Sequence, residues 1–150
     1  MKIFEYHNPE ANKDRGEDPR HTFELKGAKG ETIAGAEIDY YSKPIPHYQV
    51  TDIWVDFEHQ GQGIASELMG KIEEMLKAKK RAGFLVDAIM EGNPTKGFYE
   101  RRGWIPVPGG MNQFVFNLPR GAEPESFISV ENRQTPIEER NGSHPSTIPH

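Results

Sequence analysis

Gln60, Gly61, Gln62, Gly63, Ile64 and Ala65 run without interruption, two glycines one residue apart directly ahead of an amphipathic segment. A helix N-terminus offers unpaired backbone N–H groups and the positive end of its dipole, and glycines beside it let an anion approach the backbone closely. The chemistry these residues point to is therefore phosphate binding. The dinucleotide fingerprint fits poorly: Ser66 takes the place of its third glycine, and no acidic residue ends a second strand about 20 residues further on. A nucleoside triphosphate loop fails too, because no Gly-Lys-Ser/Thr follows. Taken alone, the glycine pair also reads as a flexible strand-to-helix turn. A second group, Asn93, Phe98, Tyr99, Gly103 and Trp104, lies in NPTKGFYERRGW. There are no cysteines, which excludes a thiolate nucleophile, cysteine-ligated zinc and disulfides. The sequence has no His-x-x-x-His pair or carboxylate cluster, so no metal is expected.

These groups need a scaffold. KIFEY is a short strand candidate, and the polar, proline-punctuated stretch from His7 to Arg20 is too short for more than a turn or two of helix. HTFELKG and ETIAGAEIDYYS read as a hairpin across AKG, and HYQVTDIWVDF as a third strand rich in β-branched and aromatic residues. Ile64, Leu68, Ile72, Met75 and Leu76 share one face of a 3.6-residue period, with Lys71, Glu74, Lys77 and Lys80 opposite, a helix that Gly83 is expected to end. The apolar run FLVDAI then predicts a strand covered on both faces, closing a right-handed βαβ unit over residues 47–89. Asn93 as N-cap, Pro94 at the first position and Gly103 past the end bracket a second, short helix. WIPV and NQFVFNL predict a closing hairpin, the latter a possible exposed edge.

At 150 residues the chain is sized for one domain. From Pro119 onward it holds 5 of the 12 prolines and no apolar periodicity, so residues 1–118 are expected to form the domain and 119–150 a disordered tail. No stretch has the composition of a secretory leader or the length of a membrane span, and the expectation is a soluble, cytoplasmic protein without a membrane partner, monomeric or homodimeric. Lys and Arg are scattered at a net charge of −5, so no nucleic-acid partner is expected.

WVDFEHQGQGIASELM resembles the acyl-CoA-binding motif of the GNAT superfamily of N-acetyltransferases, (R/Q)-x-x-G-x-(G/A), with Gln60, Gly63 and Ala65 at its defined positions. NPTKGFYERRGW resembles the second signature of that superfamily, and the two stand in order, separated by one helix and one strand. The resemblance covers residues 47–118 well and the preceding hairpin more loosely. It implies an α+β fold with a mixed, mostly antiparallel twisted sheet flanked by helices and a splayed parallel strand pair, here with a truncated N-terminal helical region. It implies acetyl-CoA as cosubstrate, its pyrophosphate on the amides of Gln60, Gly61, Gln62, Gly63, Ile64 and Ala65. Its pantetheine arm would run along the backbone of Ile53 and Val55, with Asn93 and Phe98 as further contacts. The function it implies is acetyl transfer to a primary amine by direct attack in a ternary complex; the alternative is a non-catalytic acyl-CoA-binding or protein-interaction module.

Such a reaction needs an unprotonated amine, a polarised carbonyl and a proton for the leaving thiolate. Tyr99, with an ordinary pKa of about 10, is the expected general acid for a thiolate whose conjugate acid is near 8.5. It also reads as an ordinary helical aromatic, and Asn93 as a plain N-cap. The positions where the family often carries a base hold Gln49 and Thr51, neither of which titrates, so they are assigned to hold water. Strand alternation predicts that Asp52 faces away from them. His47 and His59 read as surface residues. The short His7–Arg20 connection implies an open acceptor side, with Tyr40, Tyr41 and Tyr48 as candidate lining residues for a small amine, peptide or protein.

Overall fold

The computed structural model describes residues 2–10, 19–87 and 95–127, with side chains of 95 and 96 excepted. Seven strands form one sheet in the order β1-β2-β3-β4-β5-β7-β6: β1 (Lys2–Asn8), β2 (Arg20–Lys26), β3 (Thr32–Tyr41), β4 (His47–Val55), β5 (Ala82–Val86), β6 (Ile105–Pro106) and β7 (Gln113–Phe116). The first four make the antiparallel meander expected from their alternating pattern, and β4 and β5 are the parallel pair. Between them runs α1 (Ile64–Lys79); α2 (Thr95–Arg101) follows β5. The α+β architecture with its splayed parallel pair is thus present. β7 is not an edge, since β5 and β6 flank it; the outer strands are β1 and β6.

The apolar stripe of α1 is buried as its period dictates, with Ala65 and Met69 added, while Lys71, Glu74, Lys77 and Lys80 are exposed. Burying each large aliphatic side chain contributes about 1.5–3 kcal/mol, so this face holds the helix to the sheet. The helix ends earlier than Gly83: Lys80 takes the left-handed cap at φ 55°, its N–H bonded to the carbonyls of Leu76 and Lys77. Gly83 sits in β5, where a Cβ would come within 2.6 Å of Leu76 Cδ1 and 3.1 Å of the Trp104 ring. Its smallness serves packing, which explains the displaced boundary. Arg102 forms a two-pronged ion pair with Glu73 of α1 at 2.8 and 2.9 Å, and Trp104 Nε1 donates to the same carboxylate at 2.9 Å.

Register assigns two faces. Opposite Ala34, Ala36, Ile38 and Tyr40 of β3 stand Val55, Ile53, Val50 and Tyr48, all in the core under α1. The odd-numbered side chains Ile3, Glu5 and His7 of β1 pair with Leu25, Phe23 and His21 on this helix-covered face. His21 is buried, which pushes its imidazole pKa down against the opposing effect of its hydrogen bond to the Glu5 carboxylate. The other face holds a smaller apolar cluster of Ala82, Phe84, Val107, Val115 and Phe127.

Phe127 packs against the sheet from beyond residue 118. Pro124–Phe127 form a 3-10 turn, and the Phe127 ring stacks on Phe84 at 5.2 Å and meets His47 edge-on at 4.9 Å. The packed unit therefore runs past residue 118 to at least 127; the rest of the expected tail lies outside the described residues. Proline and glycine in PRGAEPESF suggested an open chain, but one aromatic anchor is enough to seat it. Phe127→Ala should destabilise the protein by about 3–5 kcal/mol. Thermal unfolding followed by circular dichroism should record a Tm lower by roughly ten degrees; an unchanged Tm would show that the ring contributes nothing.

Candidate active site

β4 and β5 pair at only three positions, His47 with Ala82, Tyr48 with Gly83 and Gln49 with Phe84. Beyond them β4 stays with β3, to Ala34 opposite Val55, while β5 stays with β7, to Val86 opposite Gln113. Each strand is held by its outer neighbour, so the pair opens into a wedge from residue 50 onward. At the far end of β4 a 3-10 turn, Phe57–His59, leads to Gly61 at φ 81° and Gly63 at φ 77°. These are left-handed conformations that glycine adopts without penalty. Gly63 caps α1 with no side-chain hydrogen bond, and a Cβ at either glycine would meet nothing within 4 Å. The helix N-terminus therefore presents bare backbone at the end of a strand wedge. That donor set fits an acyl-CoA: amides and a helix dipole for the pyrophosphate, strand edge for the amide-bearing arm.

The expected cofactor residues take these places. Ile53 and Val55 are buried on β4; Gly61, Gln62 and Gly63 are exposed in the loop; Ile64 and Ala65 are buried in the first turn of α1. The Gln60 side chain turns back to donate to the Val55 carbonyl at 3.4 Å. Phe98 is half-buried, its ring 5.2 Å from that of Tyr99, and Asn93 lies outside the described residues. Tyr99 is fully buried on the helix-covered face, its ring 5.2 Å from Phe114 and 6.3 Å from Trp104.

The β3–β4 ladder jumps from Glu37 opposite Asp52 to Ile38 opposite Val50, leaving Thr51 as the extra residue of a bulge. Its hydroxyl donates to the Glu37 carbonyl at 3.2 Å. One extra residue inverts the alternation, and this corrects the expected facing of Asp52: it lies with Gln49 and His47 on the face opposite α1. Asp52 is buried, as are Gln49 and Thr51. The pair expected to hold water is thus divided, Thr51 being tied to backbone at the bulge. His47 is also fully buried: Nδ1 donates to the Ile45 carbonyl at 2.6 Å, so Nε2 accepts from the Gln49 amide at 3.2 Å. The surface reading of His47 fails because Phe84, Phe127 and Tyr41 pack around its ring. His59 is half-buried.

This face is acidic. Arg20 binds Asp39 through Nε and Nη2 at 2.8 and 3.2 Å and reaches Glu37 at 3.2 Å, and the Asp39 bond raises its guanidinium pKa against the effect of burial. Of the three tyrosines expected to line it, Tyr41 alone belongs here, stacked on His47; Tyr40 and Tyr48 pack edge to face in the core. Sequence reasoning missed Asp52 because no residue type marks a bulge at Val50-Thr51-Asp52. It also missed a cluster of Glu5, His7 and His21, which only cross-strand pairing assembles.

The Acetyltransferase (GNAT) family matches residues 2–104. A comparison with curated proteins gave no match. Among solved structures, a putative acetyl transferase from Pyrococcus furiosus superposes with a TM-score of 0.50 at 24% identity, covering 58% of this chain and 60% of its own. AtaT in the AtaT-AtaR complex bound to DNA gives 0.54 at 19% identity over 65% of this chain and 66% of that one. AtaT complexed with acetyl-methionyl-tRNAfMet gives 0.52 at 16%, over 65% and 69%. The chain thus spans about three fifths to just over two thirds of these neighbours. The AtaT complexes overturn the exclusion of nucleic-acid partners. This fold serves a protein seen with tRNA and in a DNA-bound assembly, so scattered Lys and Arg do not decide the matter. The matched family, the glycine-capped helix and the parted β4–β5 pair agree: the chain belongs to the acetyltransferase (GNAT) family.

Proposed function

We propose that the protein is an acetyl-CoA-dependent N-acetyltransferase that transfers the acetyl group directly to an amine. The parting of β4 and β5 after Gln49 and Phe84, with bare glycine backbone at the head of α1, is the observation that carries this reading. Bound acetyl-CoA supplies the acetyl group already activated as a thioester. The chain supplies the rest. The backbone of Gly61 to Ala65 holds the phosphates, and the β4 edge at Ile53 and Val55 aligns the arm. The face of β3 and β4 that carries Glu37, Asp39 and Asp52 attracts a cationic amine. Asp52, buried and placed on that face by the bulge, takes the amine proton at a carboxylate oxygen. Gln49, fixed by His47, orients the acceptor or a water. The Tyr99 hydroxyl holds the proton for the leaving thiol. The acceptor class is a primary amine, free or carried on a peptide, protein or RNA.

A titration calorimeter decides the first part: acetyl-CoA and CoA should bind, and adenosine diphosphate far more weakly. No heat at tens of micromolar protein would remove the cosubstrate assignment. Turnover with a panel of amines, aminoacyl-tRNA included, separates this enzyme from a module that binds acyl-CoA and transfers nothing, a reading favoured only by the non-titrating Gln49 and Thr51. Tyr99→Phe should slow turnover about tenfold or more with acetyl-CoA affinity unchanged. An unaffected rate would return Tyr99 to the core.

A further inference from the structure

Away from the wedge, at the free edge of the sheet, three side chains with metal-binding atoms converge. Glu5 and His7 stand two apart on one face of β1, and His21 pairs directly with His7 across the ladder. Glu5 Oε2 lies 2.8 Å from His7 Nε2 and 2.8 Å from His21 Nδ1. All three ligand atoms fall within 4.8 Å of one another. The two imidazoles meet edge to face, centroids 4.5 Å apart and planes at 69°, so both nitrogens point at the same carboxylate. We infer that Glu5, His7 and His21 form a binding site for a divalent transition-metal ion, zinc being the best match to two imidazole nitrogens and one carboxylate oxygen.

The dimensions suit this. Metal–ligand distances of about 2.0–2.1 Å in a tetrahedral site separate the ligand atoms by roughly 3.3 Å. The observed 2.8 Å contacts need open by about half an ångström and the two imidazole nitrogens, within 4.8 Å of each other, close by up to about 1.5 Å, within the swing of two side chains on an edge strand. When a metal takes the place of the shared protons, each neutral imidazole carries its remaining proton on its other nitrogen, Nδ1 of His7 and Nε2 of His21, and a fourth position faces outward where His7 and Glu5 are 54% and 41% exposed. His21 is the fixed ligand, 3% exposed with its ring edge-on to Tyr48 at 5.7 Å. Its Nε2 is buried with no hydrogen-bond partner among the described residues, so the N–H of the metal-bound tautomer is unsatisfied, which weakens binding. The charge of Lys79 also acts on His21, which weakens the attraction for a cation. The site is therefore expected to bind zinc more weakly than a closed four-ligand structural site. Its structural effect is a clip. Among the described residues β1 pairs on one side only, and the metal would tie it to β2 independently of the acyl-CoA wedge.

The test uses the full chain, stripped with chelator, titrated with zinc in a calorimeter and with cobalt(II) in a spectrophotometer. One zinc per chain, a raised Tm and visible cobalt d–d absorption are expected. His7→Ala and Glu5→Gln, both at exposed positions and so compatible with folding, should each weaken zinc binding at least about tenfold. If both variants bind zinc as the parent does, or the parent binds none at a hundred micromolar or so, the site is not a metal site. No readout involves acetyl transfer, so the result stands apart from the function proposed above.

Discussion

Asp52→Asn should lower kcat/KM for the amine by about two to four powers of ten at neutral pH, while acetyl-CoA affinity stays within about twofold. The amide keeps the volume of the carboxylate but cannot accept the proton of an ammonium. The expectation depends on the bulge at Thr51, which turns Asp52 to the face of Gln49 and Asp39. If proton removal is the lost function, the deficit shrinks as pH approaches the pKa of the acceptor amine, because a neutral amine needs no base. A merely structural Asp52 would leave a deficit that pH does not relieve. Full activity of the variant at neutral pH would overturn the assignment.

Gly63→Glu should abolish measurable acetyl-CoA binding, a loss of about 100-fold or more. Two effects combine. At φ 77° a side chain forces a left-handed conformation, worth roughly 1–2 kcal/mol against folding. At the cap of α1 the new carboxylate also occupies the dipole end proposed for the pyrophosphate. Gly30→Ala separates the two effects: Gly30 has φ 82° and open space, but sits in the β2–β3 hairpin. It should lose similar stability and no affinity. Equal acetyl-CoA affinity in Gly63→Glu and the parent would remove the phosphate from this turn.

Local signals carried much of this fold. The stripe from Ile64 to Leu76, the alternation in β2 and β3 and the punctuation at Gly103 are short-range features, and each element lies where they put it. What was illegible is relational. The bulge depends on how Glu37 and Ile38 of β3 meet β4, and one extra residue reversed the facing of every side chain beyond it. Gly83 looked like a helix stop because sequence shows smallness but not the Leu76 and Trp104 side chains that require it. His47 and Phe127 stand 80 positions apart and bury each other. The glycine pair was legible as the bare turn that heads a helix because its physics is local to one segment. The acidic face was not, since Glu37 and Asp39 of β3 and Asp52 of β4 meet only across the ladder.

The Glu73–Arg102–Trp104 clamp joins α1 to the segment that follows α2. Glu73 belongs to the helix whose first turn is the proposed phosphate cradle, and Arg102 and Trp104 follow directly on the helix that carries Tyr99. One carboxylate takes three donors, so the two segments are riveted into a single rigid jaw. Loosening that rivet, as in Glu73→Gln, would let cradle and phenol drift apart and would impair the timing of catalysis more than its ingredients.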